Sequence, residues 1–193
     1  IGRKWHSFTY EFQCLQISTL IIRYLLIFFI NLINAQSLEE LLEDNYSFQA
    51  DITIEQNNLI QSSAKIRFTQ GNFIISEIKP INQTIAKINE SIFIQDDDFK
   101  QVISRKNDRK LIFNVLTDYS KFALARCNEL CYCLNEYHDY TDLCIKFLDS
   151  RISQISFTDI NQIENTISFD NFVKGDFNIS YNPPKTYDFI AND

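Results

Sequence analysis

The chain has 193 residues, 45% of them apolar, which is enough for one domain with a true core. Its net charge of −7 repels phosphate backbones and anionic lipid, and sets nucleic-acid binding aside as a function class. Phe numbers 17 while Gly and Pro number three each, a balance of bulky side chains that fits strands better than helices.

Residues 1–19 have no recognisable role and are read as untranslated or disordered. With no Met in the chain, Leu20 is the candidate start. Leu20 to Ala35, LIIRYLLIFFINLINA, places Arg23 ahead of an apolar run from Tyr24 to Ile30 and a polar end. That layout predicts a secretory signal peptide cleaved after Ala35, hence export to the periplasm. The rival is a membrane-spanning helix. The uncharged stretch between Arg23 and Glu39 is only 15 residues, too short to span comfortably. Without Arg3, Lys4, Arg23 and Glu11, the remaining 36–193 carries 15 basic against 24 acidic side chains, a net charge of −9.

Ser37-Leu-Glu-Glu40 is a capping box, in which the Ser hydroxyl and the Glu carboxylate each satisfy an orphan backbone N–H. It predicts a short helix over 37–44 with Leu38, Leu41 and Leu42 on one face. From Tyr46 the period becomes two. Phe48, Ala50, Ile52 and Ile54 alternate with polar residues, and so do Ala64, Ile66 and Phe68 after a turn at Asn57-Asn58. Gly71 to Val102 reads as four short strands cut by Pro80, by Asn89-Glu90-Ser91 and by Asp96-Asp97-Asp98. Here Phe73-Ile74-Ile75 and Ile92-Phe93-Ile94 are apolar on both faces, so something besides the sheet must lie over one side. A charged loop follows at 105–110, then apolar 111–116, then a helix expected over Tyr119 to Arg126. Five further strands are expected: Cys131–Tyr137, Asp142–Leu148, Ile152–Phe157, Gln162–Phe169 and Phe177–Tyr181, the last ended by Pro183-Pro184. The connections are too short for crossovers, so the pairing is expected to be antiparallel throughout. One domain over 36–193, with ten or eleven strands and little helix, is the reading.

Cys127, Cys131, Cys133 and Cys144 lie close together. An even number in an exported chain points to disulfides. Cys133 could meet Cys144 across a hairpin turning near His138-Asp139, with Cys127 bridged to Cys131; or Cys131 to Cys144 and Cys127 to Cys133. Free thiols and a zinc site with His138 are the rivals, although C-x3-C-x-C is not a usual zinc knuckle. Asp96-Asp97-Asp98 lacks the spaced ligands and Gly of a calcium loop and reads as a solvated turn. There is no G-x-S-x-G, no H-E-x-x-H and no Gly-rich phosphate loop, so no catalytic residue, cofactor or metal is assigned and an enzyme is not expected. The apolar surplus instead suggests a cavity, since curved antiparallel sheets can enclose apolar ligands.

Phe73, Ile75, Pro80, Ile85, Asn89-Glu90-Ser91, Phe93 and Gln101-Val102 stand in an order that resembles the periplasmic outer-membrane lipoprotein carrier family, LolA. Further matches are the Leu41-Leu42 helix, the strand at Phe48, Phe122 and Leu124 in the mid-chain helix, and the close at Phe177, Pro183-Pro184 and Tyr187-Asp188-Phe189-Ile190. Two departures stand out. Thr69-Gln70 holds the place of the family's Arg-Pro, whose Arg latches the lid, and Ile75 that of an aromatic residue. Arg67 is the candidate substitute latch.

The resemblance implies an open antiparallel half-barrel with a short helical lid, over a cavity walled by Phe48, Ile52, Ile66, Phe68, Phe73, Ile75, Ile85, Phe93, Phe122 and Leu124. Phe73 and Phe93 are the best-marked of these. It implies a monomeric carrier of acylated lipoproteins, loaded by an inner-membrane lipoprotein-releasing ABC transporter and unloaded by an outer-membrane lipoprotein receptor. Carriage or sensing of another acyl lipid, and a periplasmic regulatory domain of the same shape, are the alternatives. The bland reading of the same residues is an ordinary core.

Overall fold

The computed structural model describes residues 37–107, 111–117, 125–128 and 130–192, with 125–128 described as backbone. The chain is mostly β. Twelve strands form one open sheet: β1 Ser47–Gln56, β2 Leu59–Thr69, β3 Asn72–Lys79, β4 Gln83–Ile88, β5 Ser91–Asp96, β6 Gln101–Lys106, β7 Ala125–Asn128, β8 Cys131–Tyr137, β9 Tyr140–Leu148, β10 Arg151–Thr158, β11 Glu164–Lys174 and β12 Asp188–Asn192. Their order across the sheet is β12-β6-β5-β4-β3-β2-β1-β11-β10-β9-β8-β7. Two meanders, β1 to β6 and β7 to β11, are therefore joined along the β1–β11 pair. The result is an open half-barrel with an inner and an outer face.

Tight turns make this possible. Asn57 and Asn58 both have positive φ, as do Gln70 and Gly71, the backbone that suits two-residue hairpins. At Gly71 a side chain would also meet Thr117, 3.4 Å from where its Cβ would stand. Two bulges bend the strands that flank β1–β2. Each holds a residue at positive φ, Glu77 in β3 and Asn171 in β11, where the register shifts.

The inner face carries the core. Phe48, Ala50 and Ile52 of β1, Ala64, Ile66 and Phe68 of β2, and Phe73, Ile75 and Ile78 of β3 are buried there. From the other meander come Leu143, Ile145, Phe147, Ile152, Ile155, Ile167 and Phe169. Among the described residues, no second sheet covers this face. It is covered by α1, Leu38–Glu43, which buries the three leucines expected of it, and by a 3-10 turn, η1, Ile112–Leu116, whose residues are all buried. The helix is shorter than expected by one residue at each end.

Three expectations are corrected. The pairing is not antiparallel throughout: β12 runs parallel to β6, with Phe189 opposite Val102. The thirteen residues between β11 and β12 are long enough to carry the chain back across the sheet, which a short hairpin connection is not. Phe177–Tyr181 is not a strand but part of that returning segment, while the strand before it extends to Lys174. Of the helix expected over 119–126, residues 119–124 lie outside the described residues, and Ala125 and Arg126 open β7.

Candidate functional site

Six aromatic rings meet on the inner face. Phe48 stacks on Phe68 at 5.2 Å and on Phe172 at 4.6 Å, and takes the edge of Phe169 at 6.0 Å. Phe113 of η1 presents its edge to Phe73 at 5.3 Å and to Phe169 at 6.4 Å. The 3-10 turn therefore plugs into the aromatic floor. Thr117, which follows it, rests on the β2–β3 turn at Gly71, and Thr117 Oγ1 donates to Asn114 O at 3.0 Å. Inside this turn the side-chain oxygen of Asn114, a residue only 5% exposed, has no hydrogen-bond partner among the described residues. Tyr140 stands under the same lid, edge-on to Phe157 at 5.0 Å. Burial, then the charges of Asp139 and Asp159, push its phenol pKa up, against a backbone hydrogen bond from Ile112.

One buried side chain ties the end of α1 to the sheet. Asn45, 1% exposed, donates to Leu41 O at 2.6 Å and to Ser150 O at 2.9 Å, and accepts from Ile152 N at 3.4 Å. These bonds end the helix and tie it to the β9–β10 turn. Between the lid and the floor, Leu38, Leu42, Val115, Tyr132, Leu134, Leu143 and Ile145 enclose a void of about 10 Å³. That is room for at most one water. The space between these residues is filled by the side chains of α1 and η1 themselves.

The sheet register decides which predicted wall residues share this face. Phe68 pairs with Phe73, Ile66 with Ile75, and Ile75 with Ile85. Phe48, Ile52, Ile66, Phe68, Phe73 and Ile75 are buried on the inner face, and Ile85 packs half-buried beside them. Phe93 does not join them. It pairs with Ala86, which pairs with Ile74, a row of opposite parity to Phe73. Phe93 lies on the outer face against the ring of Tyr181, at 5.1 Å. Phe122 and Leu124 lie outside the described residues. Phe169 and Phe172 belong to the aromatic floor, and Phe113 plugs into it from η1, without being expected there. Phe169 carries the same period-two signal as the others, whereas Phe172 follows a bulge that breaks it.

Arg67 is not a lid latch. It pairs with Gln49 and Ile74 on the outer face, where it lines an open hollow of about 520 Å³ with Asp51, Lys65, Glu77 and Asn171. The Lys65–Glu77 ion pair at 2.8 Å and the Asn171–Asp51 hydrogen bond at 2.7 Å make that hollow polar. The expected latch position still holds something. Thr69 Oγ1 donates to Phe177 O at 2.9 Å and shares a 2.8 Å hydrogen bond with Ser47, whose oxygen also accepts from Phe177 N at 3.3 Å. What it holds is the returning segment 175–187, on the other side of the sheet from the lid.

This strap explains the strands that are apolar on both faces. It leaves β11, passes Tyr46 (whose hydroxyl donates to Asp176) and crosses to Phe93. Tyr181 donates to Gln95 at 2.9 Å and Tyr187 to Asp97 at 3.1 Å before the chain joins β6. Ala86 and Val102, both fully buried, lie on this outer face. Burial against the sheet first, then the nearby Asp97 and Tyr187, push the Tyr181 phenol up to about 12. Asp96 closes the β5–β6 turn by accepting from Asp98 N and Phe99 N. Its carboxyl is held below the usual range by the Gln83 side chain first and then by Phe99 N–H. The acidic run at this turn is thus engaged in turn and strap contacts.

On the outer face of β8 and β9, Cys133 and Cys144 stand opposite each other and form a disulfide. Cys131 is disulfide-bonded as well, and the Cys127 side chain lies outside the described residues. Cys133–Cys144 agrees with the first of the two pairings and excludes the second.

No protein-family model matches the chain, and no curated protein is significantly similar to it. Among solved structures, an uncharacterised conserved protein from Thermus thermophilus is similar at 13% identity. The likeness covers 81% of this chain and 100% of that one, with a TM-score of 0.52. A LolA superfamily protein from Nitrosomonas europaea is similar at 11% identity over 75% of this chain and 96% of that one, with a TM-score of 0.40. At these identities the first likeness speaks for the fold alone, and the second is too loose to carry an argument.

Proposed function

We propose that the chain is a carrier of acyl lipid, which it holds on the inner face of the half-barrel after α1 and η1 swing away. One observation carries the reading. Among the described residues, a wide apolar face with five clustered rings is covered by two short elements, one of which brings the sixth ring, Phe113, rather than by a second layer of sheet. A six-residue helix and a five-residue turn have few contacts to break. An ordinary core has no need of so separable a cover.

The energetics suit a shuttle. Each buried methylene of an acyl chain contributes roughly 0.8 kcal/mol, so a chain that displaces the lid gains what the lid's own leucines and Phe113 give up. Affinity is then the difference between two burials, and release is never far uphill. Lipoproteins are the cargo that the resemblance of Gly71–Val102 to the LolA family implies. On that reading the protein works in the periplasm as a monomer. It takes lipoprotein from an inner-membrane releasing ABC transporter and passes it to an outer-membrane receptor, with no catalytic step of its own.

The test is binding of a fluorescent fatty acid by the purified protein, with competition by a diacylated lipopeptide. Saturable binding at one site, displaced by the lipopeptide and lost in Phe73→Glu, is expected. Absence of saturable binding by a folded wild-type protein would overturn the proposal. Displacement by free fatty acid but not by the lipopeptide would keep the acyl carrier and remove lipoprotein as its cargo.

A further inference from the structure

We propose that the cysteine cluster on the outer face of β7–β9 is a convertible site: bridged when oxidised, and a thiolate site for one zinc-class cation when reduced. Cys131 and Cys133, two residues apart on β8, point to the same face. Cys133 stands opposite Cys144 of β9. The three sulfurs lie within 4.8 Å of one another, and those of Cys131 and Cys133 are 4.0 Å apart. The backbone of β7 brings a fourth cysteine alongside. Cys127 occupies the bulge between Arg126, opposite Tyr132, and Asn128, opposite Cys131.

Zinc holds four ligands tetrahedrally with Zn–S of about 2.3 Å, which sets its sulfurs about 3.8 Å apart. The Cys131–Cys133 separation is already close to that. Once Cys133 and Cys144 are no longer bonded, their sulfurs must part to the same distance, a shift that side-chain rotation supplies without moving the strands. Lys146 stands opposite Cys131 and offsets part of the negative charge of a thiolate site. Cys131 is buried, so one side of the site is dry. The simpler role, two bridges as staples, does not call for gathering the sulfurs at one point. A staple gains most from closing a long loop, and Cys133–Cys144 closes only an 11-residue separation within a hairpin that its own ladder already pairs.

The conversion balances. Reduction of the two bridges takes four electrons and four protons from two equivalents of a dithiol, which leaves as its cyclic disulfide. The cation then displaces one proton from each thiol it binds. The site lies on the face opposite the lid, so it stands or falls independently of acyl binding.

The experiment uses the full chain, reduced with dithiothreitol, freed of it by anaerobic gel filtration, and titrated with Co2+ and then Zn2+. The expected result is a visible absorption typical of tetrahedral cobalt thiolate, saturating at one equivalent and bleached by one equivalent of Zn2+. The oxidised chain should show none. Cys131→Ser and Cys133→Ser should each weaken Co2+ binding at least tenfold. Far-UV circular dichroism of the reduced chain should keep the sheet signature. Weak, non-saturating absorption would overturn the proposal, as would equal binding by Cys131→Ser. Loss of the sheet on reduction would do the same, because the cysteines would then be staples only.

Discussion

Asn45→Ala tests the lid directly. The substitution removes three hydrogen bonds made by one buried side chain, to Leu41 O, Ser150 O and Ile152 N. Each net bond contributes about 0.5–1.5 kcal/mol, and a buried group left unpaired costs about 1–3 kcal/mol. Two of the three bonds are short and one is long, so unfolding free energy should fall by about 3 kcal/mol. With a urea slope of about 1–3 kcal/mol per molar, the midpoint should drop by roughly 1–3 M. The bond to Leu41 stays within the helix when the lid opens, but those to Ser150 and Ile152 must break. The share of the loss that belongs to opening is therefore about 2 kcal/mol, which raises the open population about 30-fold. Apparent affinity for a fluorescent fatty acid should tighten by the same factor while the open form is still the minor one. Urea titration and equilibrium binding on the same preparation measure both effects. A lower urea midpoint with unchanged affinity would refute the reasoning, because lid closure would then not compete with ligand. An unchanged midpoint would refute the bonds themselves.

Four further outcomes are expected. Phe93→Glu should leave fatty-acid binding within about twofold of wild type, since Phe93 lies under the strap and not in the cavity. It should instead make the segment near Tyr181 more susceptible to limited proteolysis. Arg67→Ala should change stability by no more than about 0.5 kcal/mol, as exposed sites do. Thr69→Val, which removes the hydroxyl bound to Phe177 O and Ser47, should cost about 1–2 kcal/mol in urea melts and loosen the strap. The fourth concerns high pH. The Tyr181 phenol is raised from 10.0 to about 12 in the folded chain, so the fold holds its proton more tightly than the unfolded chain does. Its contribution is fully present below pH 10 and is lost as pH rises from there through about 12. Tyr181→Phe should flatten that part of the stability profile, which thermal melts across the range can read.

Much of the fold is legible in the residue pattern, and the reason is periodicity. Phe48, Ala50 and Ile52 against Ala64, Ile66 and Phe68 announce two half-buried strands, because alternation maps one to one onto the faces of a pleated ribbon. The capping box announces α1, with its three leucines buried as expected. Parity fails where both faces are apolar. In Ile92-Phe93-Ile94, nothing in the pattern says which side holds the lid and which the strap. The expectation of Phe93 in the cavity wall is wrong for that reason. The choice is made by register, through Ala86 and Ile74, and register is a property of paired strands.

Read without its fold, the chain already shows strand-rich periodicity, tight turns, a short helix ahead of the strands and an apolar surplus. These follow from local chemistry: side-chain alternation, turn residues and a cap. Long-range pairing settled the rest. The twelfth strand returns parallel to β6, Thr69 and Ser47 hold a strap rather than a lid, and Asn45 is the fastening of α1. Cys131, Cys133 and Cys144 come to one point. Each of these joins residues far apart in the chain or sets the face they share, and such contacts arise only when strands find their partners and their register.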